Sequence, residues 1–173
     1  MKGQSFTADF FISVIIFIAA LLLSIKIIAG LFPVDATLLQ QEAITLSNYL
    51  MSEGNPENWS LTGSPYRIGL LTADRLDIAK YQWLTNQSIS YSAAKQLMTL
   101  RYDFFINFQN ETDILNITAC GYGSARVVQD NGNCTFQLNS TSYDNLVKVT
   151  RFLLFNSSLI KMNVYVFDLK VGN

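Results

Sequence analysis

The sequence predicts an α+β protein with a long N-terminal transmembrane helix, short helices after it, and an antiparallel β-sheet in a C-terminal head domain. Three observations predict this fold. Hydrophobic residues make up 50% of the 173 positions and charged residues 14%, and the mean hydropathy of +0.23 is high for an ordinary soluble domain. The apolar residues are concentrated in one run, Phe10–Phe32. From Tyr102 onward, polar and apolar side chains alternate, and helices followed by strands are the α+β order.

The apolar run is long enough to predict one transmembrane helix. It covers 23 positions, and a helix of that length extends over about 34 Å, compared with about 30 Å for the apolar core of a bilayer. Lys26, near the distal end, can extend its ammonium group to the lipid head groups. The residues after the run, 33–173, are predicted to form one head domain outside the cytoplasm.

The first part of the head domain is predicted to be helical. After Pro33 the apolar residues recur at helical spacing, and Gly54-Asn55-Pro56 ends this second helix. Residues 55–67 have the composition of a loop. The predicted helices of the head domain cover residues 35–53, 72–84 and 92–100. Trp59 and Trp83 are predicted to be anchors of the core or of an interface.

The second part of the head domain is predicted to be a sheet. An alternation of apolar Tyr102, Phe104, Ile106 and Phe108 with polar Asp103, Asn107 and Gln109 indicates a strand with one apolar face. The predicted strands cover residues 102–109, 114–119, 124–129, 133–138, 146–155 and 158–168. Turns are predicted at Asp130-Asn131-Gly132 and at Asn156-Ser157.

The composition argues against several classes of function. A net charge of -1 without a Lys/Arg cluster argues against binding of nucleic acid. Histidine is absent, which removes the usual general base and the imidazole metal ligand. Asp74 and Asp77 fit a solvated helix face, and Asp103 fits the polar side of a strand. The sequence therefore predicts no catalytic residues, no metal site and no cofactor, and a protein that is not an enzyme.

The two cysteines are predicted to form a disulfide. Thirteen residues separate Cys120 from Cys134, and Asn131-Gly132 between them is a turn signal, so the spacing suits a bridge between two neighbouring strands. The alternative is a pair of buried free thiols. A disulfide is typical of proteins outside the cytosol.

Seven Asn-x-Ser/Thr sequons also favour a location outside the cytosol. They begin at Asn58, Asn86, Asn110, Asn116, Asn133, Asn139 and Asn156. All of them follow the apolar run, and they are about half of the asparagines in the chain. We expect at least some of them to be glycosylated; the alternative is a polar surface that is never modified.

The N-terminus resembles a known class of leader sequence. Lys2-Gly3 is followed by a short polar stretch and then by the apolar helix, which is similar to the class III signal peptide of archaeal type IV pilins and pilin-like proteins. The resemblance implies that a prepilin peptidase cuts between Gly3 and Gln4, so that Gln4 becomes the mature N-terminus. It also implies a pilin-like fold, in which residues 1–3 are the leader peptide, residues 4–32 the transmembrane and assembly helix, and residues 33–173 the extracytoplasmic head domain.

Asp9 departs from the pattern of that family. The usual archaeal pattern has Glu at the fifth mature position, where this chain has Ala8, and Asp9 is the sixth. Asp9 can interact with the free N–H groups at the start of its own helix. In a filament it can instead pair with the terminal amine of a neighbouring subunit, since a buried charge needs a partner.

The resemblance implies a structural subunit of a type IV pilus-like filament that serves adhesion, motility or secretion. Its expected partners are the prepilin peptidase, membrane lipid, and copies of itself or other pilins. The expected location is the cell membrane, with one pass and the head outside, and then the filament. Alternatives are a secretory signal cut after Val34-Asp35-Ala36, an unprocessed signal anchor, a monomeric membrane-anchored binding module, and an anchored hydrolase.

Overall fold

The computed structural model describes residues 3–31, 34–63, 65–86, 89–125, 128–130, 134–137 and 143–169. The chain divides into two compact units, Met1–Thr37 and Leu38–Asn173. The helices in chain order are α1 (Gly3–Leu31), α2 (Val34–Leu50), α3 (Trp59–Thr62), α4 (Ile78–Thr85) and α5 (Tyr91–Leu97). The strands are β1 (Leu71–Thr72), β2 (Arg75–Leu76), β3 (Asp103–Gln109), β4 (Tyr122–Gly123), β5 (Val128–Asp130), β6 (Thr135–Gln137), β7 (Tyr143–Phe155) and β8 (Ser158–Leu169).

Most of the first unit is α1, and here the predicted fold is corrected. Within the described residues, no helix is long and apolar enough to cross a membrane, so the predicted transmembrane helix is wrong. The physical reason is the length between charges. Asp9 and Lys26 enclose 16 uncharged residues, Phe10–Ile25, which extend over about 24 Å of helix and fall short of an apolar bilayer core of about 30 Å. The sequence prediction had counted through Lys26 to Phe32.

In the second unit, α2 contributes one buried face to the core. Leu39, Ala43, Leu46 and Leu50 are all buried, and their spacing places them on one side of an α-helix. The predicted helix is confirmed, although it ends at Leu50 rather than at residue 53. Gly54 follows with a φ of +83°, a left-handed conformation that favours glycine.

The segment after α2, which is predicted to be a loop, contains the one-turn helix α3 and a buried tryptophan. Trp59 is fully buried, and its indole Nε1 donates a hydrogen bond of 3.0 Å to the carbonyl oxygen of Gly69. A Cβ atom at Gly69 would collide with the backbone of Ser52, so glycine is required there. Trp83 meets Trp59 edge to face, with 5.0 Å between ring centroids. The predicted core role is confirmed for Trp59, and Trp83 is partly buried beside it.

The predicted helix at 72–84 is wrong in its first part. Ala73 and Asp74 have φ angles of +49° and +61°, and they form the two-residue turn between β1 and β2. α4 begins only at Ile78, because the carboxylate of Asp77 accepts hydrogen bonds from two backbone N–H groups of the first turn. The polar residues before Asp77 therefore form a hairpin and do not cap the helix.

Six strands form one sheet in the order β1-β2-β7-β8-β3-β4. Neighbouring strands are antiparallel except β2 and β7, which are parallel at the pair Arg75 and Leu154, so the predicted fully antiparallel sheet is corrected at this edge. β7 and β8 form a long hairpin whose two-residue turn is Asn156-Ser157, as predicted. β3 lies next to β8 along its whole length.

The central strands are buried on both faces of the sheet. Phe104, Ile106 and Phe108 of β3 lie on the core face, where they join the buried side of α2 in one hydrophobic cluster. Phe105 and Asn107 point to the opposite side, the back face, and they are buried as well. The predicted strand is therefore confirmed, whereas its single apolar face is not.

A row of polar side chains crosses the back face. Asn163 donates a hydrogen bond of 3.0 Å from Nδ2 to Oδ1 of Asn107, and Thr150 donates one of 2.9 Å to Oδ1 of Asn163. The three residues are register partners on β3, β8 and β7. A slip of one residue between these strands would separate the buried amides from their partners, so the row helps to fix the register.

The strands β5 and β6 form a separate two-stranded sheet against the back face. The ring of Phe136 in β6 lies 5.2 Å from the ring of Phe105 and 5.3 Å from that of Tyr165, measured between centroids. The predicted disulfide is present between Cys120 and Cys134, with 5.0 Å between Cα atoms. It does not join neighbouring strands of one hairpin, because Cys120 precedes β4 and Cys134 precedes β6, so it ties the two sheets together.

Two further predictions concern the region around the disulfide. The predicted strand at 114–119 is wrong, since Ile114 makes only one isolated bridge to Gln109. Two of the three residues of the predicted turn at 130–132 lie outside the described residues.

Replacement of both Cys120 and Cys134 by serine is expected to lower the free energy of unfolding of the second unit by roughly 2–4 kcal/mol, because the bridge closes a loop of about 15 residues. Urea unfolding of the full chain in detergent, followed by circular dichroism, measures this change. Thr112→Ala, at an exposed position outside the loop, is the control. An unchanged urea midpoint in the double serine variant would contradict the stabilising role of the bridge.

Candidate functional site: the exposed apolar surface of α1

The apolar side chains of α1 are exposed within the described chain. Their exposed fractions range from 36% for Val14 to 66% for Phe17. Twelve large residues form this surface: Phe10, Phe11, Ile12, Val14, Ile15, Ile16, Phe17, Ile18, Leu21, Leu22, Leu23 and Ile25. We call them the α1 surface.

The α1 surface continues around the helix. The consecutive residues 15–18 are all at least half exposed, and four residues cover a little more than one helical turn. Ser24 does not interrupt the surface with a free hydroxyl, because its Oγ donates a hydrogen bond of 2.9 Å to the carbonyl oxygen of Ala20. A helix that is apolar on every side requires an apolar environment, which protein or lipid can provide.

The predicted processing and assembly residues lie at the start of this helix. Gly3 and Gln4 are its first two residues, and Asp9 is the seventh. The surroundings of the side chains at residues 3–9 lie outside what the structure describes. The free N–H groups of a helix lie in its first turn. The backbone alone places Asp9 beyond that turn.

The predicted glycosylation sites are exposed wherever they are described. Asn58, Asn86, Asn110, Asn116 and Asn156 are all exposed. Asn133 and Asn139 lie outside the described residues. Asn110 also has a local role, because its Oδ1 accepts hydrogen bonds from the backbone N–H groups of Thr112 and Asp113 at 3.1 and 2.8 Å. Glycosylation itself stays a prediction.

A polar network at Asp103 was not predicted from the sequence. Lys95 of α5 forms an ion pair of 2.8 Å with Oδ1 of Asp103, and the hydroxyl of Tyr91 donates to the same oxygen at 3.0 Å. The Tyr91 oxygen in turn accepts the backbone N–H of Phe104. α5 was predicted one residue late at its start, and Ser90 caps it. The network therefore docks α5 against β3.

A cavity of about 410 Å³ lies beside this network. Tyr91, Tyr122 and the backbone of residues 121–123 line it, together with Thr85, Ile89 and Ser90. Glycines 121 and 123 fit close to β3, since a Cβ atom at either would collide with Phe105 or Phe104. Nothing in the lining combines a nucleophile with a base, and within the described residues no cluster of His, Cys, Asp or Glu could hold a metal ion.

Lys80 is a second polar group whose role the sequence did not reveal. Its side chain is 2% exposed, and its ammonium group donates hydrogen bonds of 2.8 Å to the carbonyl oxygen of Glu53 and 2.6 Å to that of Leu71. The sequence did carry a signal of this burial, because Lys80 lies on the same side of the predicted helix 72–84 as its apolar residues. Lys80 therefore joins the segment after α2 to β1, which is a structural role.

No family model, no curated protein and no solved structure matches this chain.

Replacement of Tyr122 by phenylalanine is expected to leave stability near pH 7 unchanged or slightly higher. The buried hydroxyl of Tyr122 has no hydrogen-bond partner within the described residues. Burial raises the pKa of Tyr122 from 10.0 to about 12, so between these values the folded chain keeps a proton that the unfolded chain has lost. Stability should therefore fall as pH rises through this window, and less steeply in the variant.

Thermal unfolding at neutral pH and between about pH 10 and pH 12 tests this expectation. Burial also raises the pKa values of Tyr81 and Tyr91, so part of the alkaline loss should remain in the variant. Identical alkaline slopes for the wild type and the Tyr122→Phe variant would show that Tyr122 does not contribute.

Proposed function

We propose that this chain is a structural subunit of a type IV pilus-like surface filament and that the α1 surface joins the subunits. The observation that supports this proposal is the exposure of apolar side chains on every side of α1. Helices from copies of the same chain can cover one another, because each added copy presents the same apolar surface as the copies already in place. Contacts that repeat without closing a ring generate a helical filament.

The start of the chain supports processing by a prepilin peptidase as the step before assembly. Lys2 and Gly3 directly precede the helical residue Gln4, in the arrangement that the leader of archaeal pilins has. We propose that cleavage after Gly3 gives Gln4 a free α-amine at the N-terminal end of α1. Before assembly, lipid is the second apolar environment that suits the α1 surface.

Two features of the second unit support a location outside the cytosol. The disulfide between Cys120 and Cys134 is a bond that persists in oxidising compartments. The five described sequon asparagines are exposed, as an acceptor site for glycosylation must be. In the proposed filament the second unit forms the surface, and adhesion, motility or secretion is the expected role. We propose no catalytic activity and no bound nucleic acid.

The mature chain is expected to begin at Gln4. Mass spectrometry of the N-terminal peptide, from protein purified from its own cells, measures this directly. Gly3→Leu should block cleavage, because a bulky residue replaces the glycine before the cut, and the uncleaved precursor should accumulate. Gln4→Ala is the matched control, since it alters the other side of the same bond. An intact Met1 on wild-type protein would remove the main support for the proposal.

Asp9→Asn is expected to abolish filaments while processing continues. The position of Asp9, as the seventh residue of a helix that begins at Gly3, favours pairing with the amine of a neighbouring Gln4 over capping. Loss of one member of a buried pair costs about 3–5 kcal/mol, whereas loss of a cap costs at most about 1 kcal/mol. The yield of sheared filaments distinguishes the two roles.

Two controls accompany the Asp9 experiment. Asp9→Glu keeps the charge and should retain filaments, and Asp113→Asn changes an exposed aspartate of the second unit and should have no effect. Normal filaments from Asp9→Asn would contradict the pairing role. Processed wild-type protein that remains monomeric and bound to the membrane would instead favour an anchored binding module over a filament subunit.

A further inference from the structure

A second exposed apolar surface lies at the tip of the β7–β8 hairpin. Phe152, Leu154 and Leu159 are 57%, 41% and 64% exposed. Leu154 and Leu159 are register partners, so their side chains are adjacent. Phe152 lies two residues before Leu154 and therefore points to the same face. We call these three residues the hairpin patch.

The hairpin patch borders a sequon. Asn156, Ser157 and Ser158 form it, and the exposed Asn156 lies two residues after Leu154 and three before Leu159. The φ angles of Asn156 and Ser157 are +47° and +65°, which is the turn conformation that favours asparagine at the first position. The turn alone therefore explains the asparagine, and a test must change the sequon without changing Asn156.

We infer that Asn156 is glycosylated and that its oligosaccharide covers the hairpin patch. This inference rests on the proposed location of the second unit outside the cytosol. The donor class is an oligosaccharide linked to a lipid phosphate. The bond between sugar C1 and the phosphate oxygen breaks, a bond between C1 and Nδ2 of Asn156 forms, the amide gives up one proton, and the lipid phosphate leaves.

A sugar suits this patch because a sugar ring has both apolar and polar groups. Its C–H groups can lie on Leu154, Leu159 and the ring of Phe152, while its hydroxyl groups remain in water. Phe152 is four residues from Asn156, or about 13 Å along a strand, so the first sugar lies over the leucines and the following sugars reach Phe152.

Another sequon also lies close to an exposed apolar side chain. Leu61 is 83% exposed, and it lines a cavity of about 340 Å³ together with Asn58, three residues earlier. Asn58 precedes α3, but its side chain does not cap that helix, so capping does not explain it. Asn110 differs, because the turn hydrogen bonds of its side chain give it a local structural role.

The test compares the wild-type full chain with Ser158→Ala, which removes the sequon and keeps Asn156 in the turn. Thr112→Ala, which removes the sequon of Asn110, is the matched control. Each protein is purified in detergent from cells that glycosylate asparagine. Mass spectrometry gives the occupancy of Asn156, and hydroxyl-radical oxidation gives the exposure of Phe152 and Leu159. We expect an occupied Asn156 and an oxidation rate several-fold lower in wild type than in Ser158→Ala, with Thr112→Ala equal to wild type.

Three outcomes would overturn the inference. The first is an unmodified Asn156 in protein whose disulfide is intact and whose other sequons include a glycosylated one. This result would overturn the inference but leave the proposed location outside the cytosol in place. A glycan at Asn156 with the same oxidation rate in wild type and Ser158→Ala would show that the glycan does not cover the hairpin patch. If that shared rate is low, another molecule covers the patch. Reduced cysteines with no occupied sequon would contradict the proposed location itself.

Discussion

The need to cover the α1 surface is the constraint on which the rest of the protein depends. Full burial of one large apolar side chain contributes about 1.5–3 kcal/mol, and the twelve side chains of α1 are roughly half exposed, so their cover is worth on the order of 10–20 kcal/mol. This equals or exceeds the whole stability of a typical domain, about 5–15 kcal/mol. Whatever covers α1 therefore decides where the protein resides and with what it associates.

The second unit has its own hydrophobic core. The buried side of α2, the indole of Trp59 and the core face of the sheet form one continuous hydrophobic cluster. The back face is closed by different means, namely Phe136, the disulfide and the row of amides that includes Asn107 and Asn163. The buried Lys80 and the half-buried Asp103 both have hydrogen-bond partners, which keeps the cost of their burial low. Within the described residues, this buried cluster contains no side chain of α1.

The features that sequence predicted well are the local ones. The spacing of apolar residues in α2, the alternation in β7 and β8, and the turn at Asn156 all depend on residues that are close in the chain. Within the second unit, the main errors arose where distant or competing interactions decide the outcome. Thr72 to Asp74 look like a helix start, but Asp77 takes that role, and the parallel contact of β2 with β7 joins residues about eighty positions apart. The network of Asp103 was missed because its members come from α5 and β3, and the burial of Asn107 because its partner lies on β8.

The positions of the sequons agree with two different kinds of apolar surface. The first asparagine of the chain is Asn48, so α1 carries no acceptor for an N-linked sugar, and its apolar side chains on every side suit copies of the same helix or lipid. The hairpin patch is small and lies on one face, which a flexible polar molecule attached at its edge can cover. A bulky glycan on α1 would keep neighbouring helices apart, whereas one on Asn156 would keep patches on neighbouring subunits from associating. In the proposed filament, the distribution of asparagine therefore directs association to α1 and away from the hairpin patch.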